Sequence, residues 1–397
     1  MLELLDLIAR WVHVVAGIMW VGNSLLFNWL DRSLRPGRDD VYGDIWLIHS
    51  GGFYFVEKNK GERRADGSRA LPRPLHWFKW QAYTTWLSGA ALLFIVYYVG
   101  GRALIVDPAV ADIAPLIGSA IAFTTLIATW LLYEGAWRTI GRRSAALASF
   151  ATIAVLGAGI WVFLNFLSGR AAFLHVGAML GTLMAGNVAF TIMPSQRELV
   201  TALRDGREPS QVIADRAKQR SIHNNYFTFP VIALMLSAHF PALYAQRGSL
   251  LGLLIVIAAG AAVRHALNSR FTYARWRLSL AGALIASIAA LAILFLANPF
   301  APSAQRQTVA FTAAPTDAEA HRIIDRRCAS CHSAAPADIS LGAMPAGVAF
   351  DTPAQINLLK DRILERAVTT RTMPPANKTR MTDAERDALA AWIASQP

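Results

Sequence analysis

Eight stretches of about 20 mainly apolar residues, the length of a bilayer-spanning helix, recur through the first three quarters of the chain. They fall at 4–30, 77–99, 113–133, 145–167, 172–193, 226–244, 250–267 and 276–297. A helix rises about 1.5 Å per residue, so each can cross a hydrocarbon core of about 30 Å. The pattern predicts an all-α fold whose larger part is an eight-helix transmembrane bundle. Composition agrees. The chain is 54% hydrophobic and only 16% charged, and its mean hydropathy is +0.36, values of an integral membrane protein. The first stretch contains Arg10 and has no clear small-residue cleavage site. It reads as a retained helix and not as a signal peptide.

Charge then orients the bundle. The net charge is +12, but residues 316–397 carry ten basic and ten acidic side chains, so the excess belongs to the first part. It lies in loops between apolar helices, which points to a membrane surface and away from nucleic acid. The loops after the first, third, fifth and seventh stretches hold 9, 3, 6 and 2 Lys/Arg, and those after the second, fourth and sixth hold one each. The positive-inside rule places the first group in the cytoplasm. Eight crossings then put both termini outside the cytoplasm. A faint internal repeat relates G-I-M-W-V-G-N at 17–23 to G-T-L-M-A-G-N at 181–187. It reads as two four-helix halves, with close small-residue contacts as the simpler explanation.

The remaining chain divides into a Pro/Ala/Ser/Thr linker at 299–315 and a domain at 316–397, after a membrane domain at 1–298. Both cysteines of the protein lie in Cys328-Ala-Ser-Cys331-His332, the C-x-x-C-H pattern of covalent c-type haem attachment. In that chemistry the thiols add to the haem vinyl groups and the adjacent imidazole takes the iron. A redox dithiol does not need the histidine, and a zinc site needs further ligands that are not nearby. Capping boxes at Thr316/Glu319 and Thr382/Glu385 predict helices there, and 352–369 has an amphipathic pattern. Three helices around the motif suit a class I cytochrome c. Met373, in R-T-M-P-P between the last two helices, is placed to be the sixth iron ligand, ahead of Met344 and Met381. Haem c bound in the periplasm agrees with the orientation that the loop charges give independently.

Ionisable groups inside a membrane domain are costly and are often functional. His13 and His175, at related places in the two halves, are candidates to ligate a b-type haem, with interhelical hydrogen bonds as the alternative. Glu134 is a further candidate, with snorkelling as its alternative. A denser set meets the cytoplasmic face: Glu57-Lys58-Asn59, His76-Trp77 with Gln81, and His223-Asn224-Asn225-Tyr226. Together they offer a general base, a cation, amide partners and stacking surfaces for a flat, nitrogen-rich anion. The loop 195–223 has the charge spacing of a surface helix.

F-Y-F-V-E-K-N at 53–59, H-W-F-K-W-Q-A-Y-T-T-W-L-S-G at 76–89 and H-N-N-Y-F-T-F-P-V at 223–231 resemble the bacterial membrane-bound urate oxidases. In that family an eight-helix domain precedes a cytochrome c domain, and the resemblance covers essentially the whole chain. It implies oxidation of urate to 5-hydroxyisourate in purine catabolism, with water as the oxygen source. Electrons would pass to the fused haem, then to a soluble cytochrome c or a cytochrome c oxidase of the respiratory chain. The resemblance brings no catalytic residues with it. On chemistry alone, Lys58 or His223 takes a proton, Glu57 orients it, Asn224, Asn225 and Gln81 read the purine edge, and Trp77 or Phe53 stacks on it, with His76 beside them. A cytoplasmic site lies about 30 Å of hydrocarbon from a periplasmic haem. That distance is too long for one tunnelling step, which is the reason to consider His13 and His175 as an intermediate haem site. Three other readings stand beside this one: a membrane dehydrogenase for another substrate, a membrane-anchored electron carrier without substrate chemistry, and a transporter.

Overall fold

The computed structural model describes residues 2–36, 41–59, 62–63, 69–70, 75–99, 104–108, 110–240, 243–244, 249–293, 314–338 and 345–396. The linker read at 299–315 lies outside them, apart from its last two residues, and so does Met344.

The first region is built from α1 (Leu2–Ser33), α2 (Trp80–Leu93), α3 (Pro115–Arg138), α4 (Ala145–Phe166), α5 (Gly169–Asn187), α6 (Met193–Arg204), α7 (Gln211–Leu236), α8 (Ser249–Ser269) and α9 (Trp276–Ala292). Local chemistry sets several ends. Pro115 occupies the first turn of α3, where its missing N–H costs nothing. Ser144 and Ser168 cap α4 and α5 by accepting from Leu147 N and Ala171 N. α5 is the centre of the bundle. Phe173, His175, Val176, Leu183 and Asn187 on it are all fully buried, and it touches α2, α3, α4 and α7. From there the helices run outward, through α2 to α1 at one edge and through α7 and α8 to α9 at the other.

Six helices among the described residues are long and apolar enough to cross a membrane: Leu4–Ser33, Trp80–Val99, Pro115–Arg142, Ala145–Phe166, Gly169–Arg204 and Ser249–Ser269. The sequence reading has eight. The difference lies in α7 and α9. α9 spans 17 residues in the described part. The sixth apolar stretch is only the second half of α7, which begins fifteen positions earlier at Gln211 and runs unbroken through His223 and Pro230. Its polar first half lowers its mean hydropathy. Gly260 on α8 lets that helix approach the Pro230 ring, since a Cβ there would lie 2.7 Å from Pro230 N. The stretch 195–223 is therefore α6 and the first half of α7, and Arg220, counted among the cytoplasmic loop charges, is 4% exposed. The two copies of the repeat also meet different surroundings. A Cβ on Gly22 of α1 would touch nothing, whereas one on Gly186 of α5 would collide with the Trp130 indole at 2.2 Å.

Among the described residues the fold is helical except for small antiparallel pairs after α1. β1 (Val41–His49) pairs with β2 (Gly52–Asn59) in the register Trp46↔Phe55 and Ile48↔Phe53. Ser50 and Gly51 form its two-residue turn with φ of 50° and 75°, the left-handed geometry that such turns require. Aromatic and β-branched residues favour this pairing. The segment that carries Glu57 and Lys58 is thus a strand.

The second region contains α10 (Asp317–Ile324), α11 (Pro353–Leu358), α12 (Lys360–Ile363) and α13 (Asp383–Ser395). Thr316/Glu319 and Thr382/Glu385 form the expected capping boxes, and Thr352/Gln355 forms a third. The amphipathic stretch 352–369 is broken at Leu359 and continues as a π-turn over Leu364–Thr369. Ile324, Ile356, Val368, Leu389 and Trp392 make one apolar core. Trp392 is fully buried, with its indole N–H given to Asp317 Oδ1 at 2.8 Å.

Candidate functional site

In the second region a cavity of about 270 Å³ opens among Cys328, Cys331, His332, Val348, Phe350 and Met373. α10 delivers the first three through a π-turn over Asp325–Ala329. The His332 ring donates through Nδ1 to Val348 O at 3.2 Å, which leaves Nε2 with its lone pair free. Phe350 lies edge-on to that ring at 5.4 Å and donates its N–H to His332 O. Burial pushes the Cys328 thiol up to about 12 and raises Cys331 as well. A redox dithiol has at least one thiol pushed the other way.

The loop bearing Met373 is held by two arginines that the sequence reading did not single out. Arg386, 4% exposed, donates to Met373 O at 2.9 Å, to Ala367 O and to Asn377 Oδ1. Arg327 pairs with Glu385 at 2.9 Å and donates to Thr379 O. Met373 lines the cavity. Met381 is 3% exposed and belongs to the apolar core with Leu389 and Trp392. A test follows. Met381→Leu conserves volume and is expected to cost under about 1.5 kcal/mol while leaving the haem spectrum unchanged. Met373→Leu is expected to lower the haem midpoint potential in a redox titration, because thioether ligation raises it. The opposite pattern assigns the sixth ligand to Met381.

The bundle contains a buried polar cluster where α3, α5 and α7 meet. Tyr133, 1% exposed, shares its hydroxyl between His223 Nδ1 at 2.7 Å and Asn187 at 3.0 Å. Asn187 also donates to Asn224 Oδ1 at 2.8 Å, and Asn224 donates to Met184 O at 3.0 Å. The groups form one continuous hydrogen-bonded chain from the His223 ring to the α5 backbone. Next to it, Arg220 donates to Glu134 at 2.7 Å, with side chains 5% and 11% exposed. The Arg220 guanidinium covers the Tyr133 ring at 4.6 Å and reaches the Trp137 ring at 5.5 Å. One of its terminal nitrogens, Nη1, is buried without a partner. Glu134 takes a second, more exposed cation in Arg138. It is thus an interior ion pair and not a snorkelling chain end.

The structure brings His223 and Asn224 together and keeps the other sequence candidates apart from them. Lys58 pairs with Asp31 at 2.7 Å on the exposed hairpin. Glu57 is on the same strand, and His76 is exposed, edge-on to Phe78. None of the three belongs to the Tyr133–His223 network. Asn225 faces the other way and accepts from Arg264 and Asn268. Phe53 is 75% exposed at the hairpin tip, Trp77 packs against Ala82, Val188 and Met193, and Gln81 lies in a groove between α1 and α2. His13 donates to Thr85 O at 2.8 Å from α1. His175 has both ring nitrogens engaged, with Ala171 O at 2.7 Å and Tyr98 OH at 3.0 Å. That geometry supports interhelical hydrogen bonding and gives a second haem no free His175 nitrogen. Tyr133, Asn187 and Arg220 were missed. The signal for Arg220 was its spacing: it lies three and four positions before His223 and Asn224, on one helical face.

A bundle of apolar helices with a buried polar cluster, joined to a small helical domain with a Cys/Cys/His/Met cavity, defines a class of redox protein in which a helical domain is fused to a cytochrome. Comparison with protein families makes this specific. The chain belongs to the family described as Urate oxidase N-terminal, which matches residues 1–296, and its 318–397 match Cytochrome c. Comparisons with curated proteins and with solved structures give no match. The cytochrome c domain implies a c-type haem, and the cavity fits one: two thiols and an imidazole with a free Nε2 on one side, a thioether among the other lining groups, and Arg362, Arg366 and Lys378 for carboxylates.

Proposed function

We propose that this chain oxidises urate to 5-hydroxyisourate: urate and water give 5-hydroxyisourate, two protons and two electrons. The observation that carries the reading is the family match over 1–296 in a chain whose other domain has a cavity suited to haem c. Cys328 and Cys331 would hold the haem, with His332 and Met373 as the residues to ligate its iron, and it would supply one-electron acceptance, the electrons going on to the respiratory chain by way of a soluble cytochrome c or an oxidase.

The protons are the work of the α3–α5–α7 cluster. If the Tyr133 hydroxyl donates to Asn187 Oδ1 (3.2 Å) instead of to His223, it can accept from His223 Nδ1–H. His223 Nε2 then has a free lone pair to take the proton of urate or of the attacking water. Tyr133 stabilises the resulting imidazolium. Asn224 reads the purine edge, and the unpartnered Arg220 Nη1 meets the urate anion. By helix alternation Glu57, Lys58 and His76 share this end of the bundle, and in this reading the Lys58 cation draws the anion in and none of the three acts on it. Membrane domain, linker and cytochrome domain divide at 298 and 315. An even number of crossings, six or eight when α7 and α9 also insert, puts both termini and the cytochrome on one side, the periplasm of a bacterial inner membrane.

Anaerobic addition of urate to the purified full-length protein is expected to reduce the haem, read at its alpha band, and oxygen from labelled water is expected in the product. His223→Ala is expected to slow reduction about 10²–10⁴-fold with the haem spectrum unchanged. Absence of urate-dependent reduction in the parent protein would sink this function in favour of another substrate or a carrier.

A further inference from the structure

The β1–β2 hairpin has two unlike faces. Ile45, Leu47 and Val56 on one face are half-buried. On the other, Trp46, Ile48, Phe53 and Phe55 are 66%, 73%, 75% and 48% exposed. These four are neighbours across the strands, with the Trp46 and Phe55 rings 4.9 Å apart, so they form one continuous apolar surface. Tyr54, the cross-strand partner of Leu47, lies on the opposite face. Exposed aromatic surface of this kind marks an interaction site.

The hairpin is also graded along its length. Asp44, Glu57 and Lys58 lie at the root, and the apolar side chains lie toward the turn. The root is tied to the end of α1. Lys58 pairs with Asp31, and the Arg35 and Asp44 backbones exchange two hydrogen bonds at 2.9 and 3.0 Å. Asp31 follows directly on the apolar part of α1, so the root sits at the level where that helix leaves hydrocarbon for water. Trp, Tyr and Phe at that level are the side chains of a membrane–water interface.

We infer that the hairpin is a lipid anchor, lying on the leaflet at the C-terminal end of α1 with its Trp46–Ile48–Phe53–Phe55 face and its tip in the headgroup and upper acyl region. The inference rests on α1 crossing a bilayer and is independent of the substrate. Such an anchor holds the segment after α1 flat against the membrane. It also keeps a flat aromatic strand pair from adding to a second copy edge to edge.

The test uses the full-length protein in nanodiscs of phosphatidylcholine and phosphatidylglycerol. Phe53→Cys and Ile48→Cys are made separately and labelled with bimane, the parent chain treated alike gives the background, and the haem spectrum checks folding. Acyl-chain spin-labelled lipid is expected to quench both sites at least about twofold, as for side chains at the interface, and aqueous iodide is expected to quench little. Strong quenching by iodide with none by the lipid overturns the inference and puts the hairpin in water. Protection from both quenchers also overturns it, and assigns the face to a protein surface such as a second copy of the chain.

Discussion

Glu134→Gln is expected to destabilise the bundle by about 3–5 kcal/mol, because it leaves the Arg220 guanidinium buried without its counter-ion. The Arg220 side chain is 5% exposed, and the carboxylate at 2.7 Å is its only anionic partner among the described residues. Arg138, the other partner of Glu134, has a side chain 59% exposed, so its share of the loss is small. The same change should also disturb the Tyr133–His223 chain, since Arg220 lies over the Tyr133 and Trp137 rings. Thermal unfolding of the solubilised protein measures the first effect, and urate-dependent haem reduction measures the second. The double variant Glu134→Gln/Arg220→Gln removes charge and counter-charge together and is expected to recover a large part of the lost stability. If it proves no more stable than Glu134→Gln alone, the ion pair is not what holds these helices.

Cys328→Ser/Cys331→Ser is expected to abolish covalent haem. The haem-stained band of the intact protein on a denaturing gel should disappear, and any pigment left should extract into acidified acetone. The single variants should each retain one thioether and keep a weaker stained band. His332→Ala should leave the thiols able to react while removing the proximal ligand, so the band persists with an altered spectrum. A stained band surviving in the double variant would mean that the haem is attached elsewhere.

How much was legible beforehand depends on the range of the interaction involved. Capping boxes at Thr316 and Thr382 need only four consecutive residues, and both stand as read. C-x-x-C-H is equally local, and Met373 could be chosen because loops between helices are recognisable from Pro and Thr. The hairpin was less accessible. Its aromatic run suited a membrane interface as well as a strand, and only the two-residue turn at Ser50–Gly51 and the pairing across it decided the conformation. α7 was misjudged for a related reason. Hydropathy sees apolar length, so it divided one helix into a polar surface helix, rightly read as helical, and a separate apolar stretch. The first half of α7 is helical because its polar side chains have partners inside the bundle: Arg220 on Glu134 and His223 on Tyr133.

Residue order alone thus determined a helical membrane-type domain, a c-type haem motif and, through long motifs, the resemblance to the urate oxidases that the family match bears out. These follow from periodicity, composition and short spacings, which adjacent residues carry between themselves. Tertiary structure decided which polar groups meet. Tyr133, Asn187 and His223 are 54 and 90 residues from one another along the chain as counted from Tyr133, and no local pattern couples them. Their association is fixed by α5 sitting at the centre of the bundle, where a low dielectric makes every buried polar atom costly unless it finds a partner. The same constraint moved Arg220 from a solvated loop to the interior and left Lys58 and His76 outside.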